Sequence, residues 1–216
     1  MYAQRILSND LPTARSEDPV GRVLGLMDEF KVRQLPLVEG DAFLGLSFEE
    51  ELLEAEETTP MALLSGQPIF AAPHTHLYDI VSTMVRSELD VLPVVRDGFF
   101  VGAVSRASIL AFLAENTAWG HPGGTVVIEA AEADLSLSEL SRIVESNGAQ
   151  VLAYTRVLQP ESQMVEVTFK LNTQDVEPIL DALQRFGYSI QTFFHSPELE
   201  EEMRERFEAF MRYLKS

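Results

Sequence analysis

The chain contains no cysteine. That excludes disulfides, thiolate zinc centres and a thiol nucleophile, and it fits a reducing compartment. Lysine is almost as scarce: Lys31, Lys170 and Lys215 are the only three, and arginine supplies the rest of the 16 basic residues against 34 acidic ones. With a net charge of −18, the chain has no general attraction for phosphate backbones or anionic lipid surfaces, so neither nucleic acid nor membrane is an expected partner. This acidity suits an ordinary acidic soluble protein; the alternative reading is adaptation to high salt. No apolar run approaches the roughly 20 residues of a membrane span. The start, Met1 to Leu11, carries Arg5, Asn9 and Asp10 where a signal peptide would be apolar. A cytoplasmic location is therefore expected. Phosphate-binding glycine loops and nucleophile elbows are missing, and no Ser/His/Asp set can be assembled. No enzyme activity is expected. His74 and His76 share a spacing that could hold a metal on a strand, but with no third ligand in view they read as two loop histidines. The single tryptophan, Trp119, stands beside Gly120 and reads as a packing anchor under a linker.

What the chain does have is an internal repeat. Leu35-Pro36-Leu37-Val38 recurs 57 residues later as Leu92-Pro93-Val94-Val95. The same offset pairs Met27 with Met84, Phe43 with Phe100, Gly45 with Gly102 and Leu53 with Leu110. Each copy opens with a helix whose apolar residues share one face: Val20, Val23, Leu24 and Met27, then Leu77, Ile80, Val81 and Met84. A short strand containing proline follows, expected at a sheet edge or beginning at the proline. A turn, Glu39-Gly40-Asp41 or Arg96-Asp97-Gly98, leads to a glycine-bearing strand and a closing helix. One such unit cannot bury its own apolar faces, so two should pack together. The pattern resembles the CBS domain, and two copies resemble a CBS pair, with repeats at residues 3–56 and 61–115.

Residues 116–124, with Gly120, Pro122, Gly123 and Gly124, read as a linker. Beyond it the order is strand, helix, two strands, helix and strand. Ser136 and Glu139 have capping-box spacing, and Asn147-Gly148 and Gly187 act as helix stops. This βαββαβ order over residues 125–194 is ferredoxin-like and resembles the ACT domain. The fold class is thus mixed α+β: βαββα CBS repeats, an ACT-like domain, and a final amphipathic helix at 196–215. That helix either covers its own domain or packs on a partner subunit. A CBS pair, a Pro-Gly linker and one ACT-like domain together resemble the acetoin-utilisation protein B-like family.

The resemblance implies a regulatory protein that senses a small effector, forms a homodimer and acts on an unidentified target protein. No cofactor is expected. Nucleotide-binding CBS pairs carry the tail Gly-apolar-apolar-Thr/Ser-x-x-Asp, whose carboxylate accepts the ribose hydroxyls. In the first repeat Phe48 stands at the hydroxyl position and Glu51 at the aspartate position. In the second, Ser105 keeps the hydroxyl, Arg106 can meet a phosphate, and Ser108 replaces the aspartate. The second half-site, with an apolar wall from Leu92 and Pro93, is the expected place for AMP or another adenosyl compound, bound weakly. In the alternative reading, Ser105 and Ser108 cap the closing helix and the chain is a scaffold that binds no small molecule. The first strand-to-helix loop of the ACT-like part, Ala130 to Ser136, lacks the glycine usual in amino-acid-binding relatives.

Overall fold

A computed structural model describes residues 1–8, 10–159 and 164–194; the amphipathic helix expected at 196–215 lies outside the described residues. The chain divides into two units, Met1–Phe112 and Leu113–Ser216.

In the first unit the repeat is visible in the backbone. Helix α1 (Val20–Phe30), strands β2 (Gln34–Glu39) and β3 (Ala42–Phe48) and helix α2 (Glu49–Leu52) make the first copy. The second consists of α3 (Leu77–Arg86), β4 (Val91–Arg96), β5 (Phe99–Ser105) and α4 (Arg106–Asn116). A two-residue strand, β1 (Ala14–Arg15), runs parallel to β2 and completes a five-stranded sheet in the order β1-β2-β3-β5-β4. Irregular positions repeat at the same offset. Lys31 and Glu88 end their helices in the left-handed region, at φ 54° and 50°. Each hairpin has a register shift at its glycine-bearing strand, between Leu37 and Val38 and between Val94 and Val95. Leu37 faces Gly45, and Val94 faces Gly102.

The two copies meet where Ala42 pairs with Phe99, its own equivalent. Phe43 N donates to Gly98 O and Phe100 N donates to Asp41 O, both at 2.9 Å. These two bonds are images of each other about a pseudo-two-fold axis. The prolines do not begin their strands; each is the third residue of its strand. β4 is the sheet edge, and β2 is covered only at Leu37 and Val38, just past Pro36, so neither proline interrupts a ladder.

The lead-in segments are exchanged. Residues preceding the first copy bond to the second half: Ala3 N donates to Thr75 O and Gln4 N to Pro73 O just ahead of α3, and Ser8 N donates to Ala103 O of β5. Residues preceding the second copy bond to the first half: Met61 N donates to Asp18 O and Ala62 N to Ser16 O just ahead of α1, and Gln67 N donates to Leu46 O of β3. Met61 accordingly sits fully buried with Val20, Val23, Met27, Leu35 and Leu52. Each such apolar side chain removed from water contributes about 1.5–3 kcal/mol.

The second unit is a four-stranded antiparallel sheet with two helices on one face. Strands β6 (Thr125–Ala131), β7 (Val151–Gln159), β8 (Met164–Leu171) and β9 (Ser189–Phe194) take the order β7-β8-β6-β9. With α5 (Leu137–Ser146) and α6 (Glu177–Arg185) this is the ferredoxin-like arrangement. Alternate residues Val165, Val167, Phe169 and Leu171 of β8 face Leu140, Ile143, Ile179 and Leu183 of the helices, and all are buried. Ser136 Oγ accepts from Glu139 N at 3.3 Å and starts α5. The Glu139 carboxylate accepts the Tyr188 hydroxyl at 2.7 Å, tying α5 to the start of β9. Within residues 116–124, expected as a linker, Gly123 and Gly124 are bonded to β8 and the loop after it. Gly124 N donates to Thr173 O, Lys170 Nζ donates to Gly123 O at 2.7 Å, and Gly123, at φ 146°, leaves no room for a Cβ against Leu171 O. Trp119 is not an anchor beneath the linker: it is 68% exposed. No described helix is long and apolar enough to cross a membrane.

Candidate functional site

The pseudo-symmetry of the first unit makes two equivalent pockets, and sequence differences make them unlike. One, of about 380 Å³, is lined by Ser8, Asp10 and Leu11 of the lead-in, by Phe30, Lys31 and Val32 after α1, and by Asp90, Ser105 and Arg106. Its counterpart, of about 310 Å³, has Ser87 and Glu88 where the first has Phe30 and Lys31. It has Phe48, Glu49 and Glu50 where the first has Ser105, Arg106 and Ala107. Arg33 and Arg86 partly balance its three glutamates.

The larger pocket is organised around Asp90, whose side chain is 13% exposed. Its Oδ2 accepts from Arg33 N at 3.0 Å and Arg33 Nε at 3.1 Å, and its Oδ1 pairs with Arg106 Nη1 at 2.9 Å. Asp90 N donates to Gln34 Oε1 at 2.8 Å. The hydrogen bond to Asp90 holds the Arg33 guanidinium pKa above its ordinary value. Arg106 Nε donates to Leu89 O at 3.1 Å, so the guanidinium is fixed at two points while remaining 59% exposed at the pocket.

Ser105 and Ser108 form a reciprocal cap on α4. Ser105 N donates to Ser108 Oγ and Ser108 N donates to Ser105 Oγ, each at 3.0 Å, and Ser108 Oγ donates on to Ser105 O. Of the residues singled out in the sequence, Ser105 and Arg106 line the pocket, while Leu92, Pro93 and Ser108 do not. Leu92 and Pro93 are buried in β4, opposite Val104 and Ala103. The apolar wall is formed by Leu11, Phe30 and Val32. Asp10, Lys31 and Asp90 escaped the sequence reading. Lead-in exchange brings Asp10 to the second repeat's tail, and that exchange leaves no mark in a repeat pattern. Asp90 had a faint signal: it is the oppositely charged equivalent of Arg33.

His76 caps α3, its Nδ1 accepting from Tyr78 N at 3.3 Å, and the Tyr2 ring packs edge-on against His74 and His76. No group of three or more potential metal ligands occurs among the described residues. A third hollow, of about 500 Å³, runs between α3 and α4 and is lined mainly by Val81, Met84, Val85, Ile109 and Leu110. Val85 and Leu110 are 71% and 62% exposed there.

Three solved structures illustrate the similarity of fold. A CBS domain pair/ACT domain protein from Thermotoga maritima is 20% identical, with a TM-score of 0.48 over 53% of this chain and 98% of that one. A protein described as an acetoin utilization protein, from Vibrio cholerae, is 19% identical, with a TM-score of 0.46 over 52% and 89%. CBSX2, solved in complex with AMP, is 20% identical, with a TM-score of 0.44 over 51% and 93%. The family model for the CBS domain matches residues 3–57 and 62–115, half of the chain. Two matched segments, folded as two copies about a pseudo-two-fold axis, place this chain in the CBS domain family as a tandem pair.

Proposed function

We propose that this chain is a non-catalytic cytoplasmic regulator whose CBS pair senses an adenosine nucleotide, AMP ahead of ATP, in the pocket lined by Lys31, Ser105 and Arg106. The carrying observation is the charge difference between two otherwise equivalent pockets: one sets Arg106 and Lys31, which also pairs with Asp28, against Asp10 and Asp90, while the other sets Arg33 and Arg86 against Glu49, Glu50 and Glu88 and so carries one more negative charge. Phe30 and Leu11 offer an apolar wall to a base. The Asp10 carboxylate takes the ribose-binding part that Ser108 cannot. A net charge of −18 penalises each added phosphate. CBS pairs are regulatory, ligand-binding modules, and the second unit is read as an ACT-like companion domain, as in the acetoin-utilisation protein B-like family. The apolar hollow between α3 and α4 supports pairing of two copies through that face, and the effector would act by shifting their arrangement or that of an unidentified target.

Calorimetry with AMP, ADP and ATP on the full chain tests the reading. AMP should bind in the micromolar to millimolar range and more tightly than ATP, and Lys31→Met with Arg106→Ala should weaken it about tenfold or more. Tight ATP binding, or AMP binding untouched by both substitutions, overturns it. The competing reading, a scaffold without a ligand, draws on the Ser105–Ser108 cap, which uses the Ser108 hydroxyl as both donor and acceptor and engages Ser105 Oγ as an acceptor. Absence of binding by all three nucleotides would favour it. Light scattering checks the dimer, and a mass of 24.1 kDa at high micromolar concentration would remove it.

A further inference from the structure

The two described helices of the second unit pack on one face of its sheet, and the opposite face holds an unusual set of side chains. Thr155 of β7 pairs with Thr168 of β8. In the adjoining row Ala153, Lys170 and Thr125 lie side by side across β7, β8 and β6. All five line a hollow of about 340 Å³, with Trp119 along its border. The three threonine hydroxyls make no hydrogen bond to any described residue, and no described carboxylate lies within ion-pair distance of Lys170 Nζ. Lys170 gives one hydrogen to Gly123 O and has two left. Trp119 is held in place through its backbone: its N donates to Thr117 Oγ1 at 3.3 Å, and Thr117 Oγ1 donates to Leu113 O at 2.6 Å. Gly120 packs so closely on Ala114 O that any Cβ would stand 1.9 Å from it.

This face does carry carboxylates, Glu129 and Glu166, which pair with each other two residues along the strands from Thr168. The hollow itself has none in its lining: free hydroxyl groups, one cation and the only indole of the protein converge on a single concavity. A flat apolar body suits the indole and the Ala153 methyl. A single negative charge suits Lys170, whose donors are already reduced by one, while a dianion would meet the field of the −18 chain. The threonine hydroxyls can complete the hydrogen bonding of a carboxylate. We propose that this hollow is a second ligand site, separate from the nucleotide pocket, that takes a small aromatic monocarboxylate.

Because Trp119 is the only tryptophan, its fluorescence reports on this hollow alone. Benzoate is the probe, with benzyl alcohol and cyclohexanecarboxylate as uncharged and non-aromatic controls. A ligand of this size in a shallow site should bind in the millimolar range. Benzoate should change the emission saturably, and each control should bind at least fivefold more weakly. Lys170→Met should weaken benzoate about tenfold. Thr155→Val, at an exposed position with no structural bond to lose, should weaken it severalfold while leaving the melting temperature unchanged. A linear, collisional response to benzoate overturns the site, as does equal binding of benzyl alcohol, or full affinity in the Thr155→Val variant together with Lys170→Met.

Discussion

Arg33 and Asp90 are the same position of the two repeats, 57 residues apart, and they bind each other: Asp90 Oδ2 accepts both the backbone N and Nε of Arg33. A duplicated position has diverged into opposite charges that join the two copies. Asp90→Ala should destabilise the fold by about 2–3 kcal/mol, because it strands a backbone N–H and releases two guanidinium groups at once. Arg33→Ala leaves Asp90 with Arg106 and should cost clearly less. Thermal unfolding of the two variants checks the order, and equal losses would show that the backbone bond and the Arg106 pair together contribute nothing.

Gly45 and Gly102 are equivalent by sequence but not by surroundings. A Cβ at Gly45 would lie 2.4 Å from the backbone carbon of Gly66, whereas at Gly102 it would meet only the Leu7 side chain, at 3.1 Å. Both have positive φ, 148° and 155°, so alanine is strained at either. Gly102→Ala should cost about 1–2 kcal/mol, and Gly45→Ala about 3 kcal/mol or more, since two backbones must separate. Urea titrations give both values.

Tyr188 links alkaline stability to one hydrogen bond. Burial, then its bond to Glu139, raise the phenol to about 12. A raised folded pKa means that the protonated form is the stabilised one. Its contribution is complete below the ordinary tyrosine value near 10 and is lost as pH climbs towards about 12. Tyr188→Phe should lower stability at neutral pH by about 1–2 kcal/mol and flatten the loss of stability across that alkaline window. Melting curves taken from neutral to strongly alkaline pH measure both effects.

Self-repulsion at −18 should be relieved by screening. The melting temperature is expected to rise with added KCl from low to molar concentration. A flat curve would count against adaptation to high salt and leave the ordinary acidic reading.

The repeat and its irregularities were open to sequence reading because they are local: helix faces, turn residues and the glycines opposite Leu37 and Val94 recur at a fixed offset. The helix stops at Asn147 and Phe186 follow from glycine placement just beyond them. The site was less legible. Asp10 reaches the second repeat only through pairing at Ser8, and Lys31 enters a pocket because a left-handed residue ends α1. Trp119 was misjudged because an isolated tryptophan beside glycine carries no sign of which way the ring will face. Leu92 and Pro93 are apolar strand residues whose alternation could not say which would line a cavity and which a core.

The crossed lead-in segments make each half of the first unit the completion of the other. A single repeat cut out of the chain would keep its lead-in but lose the surface that the lead-in lies on, and its own strands would lose their cover. Neither half is therefore expected to fold alone, whereas the two expressed as separate chains and mixed should reassemble. The backbone frame is thus shared between the halves, while the side chains lining each cavity belong to different repeats and differ in charge.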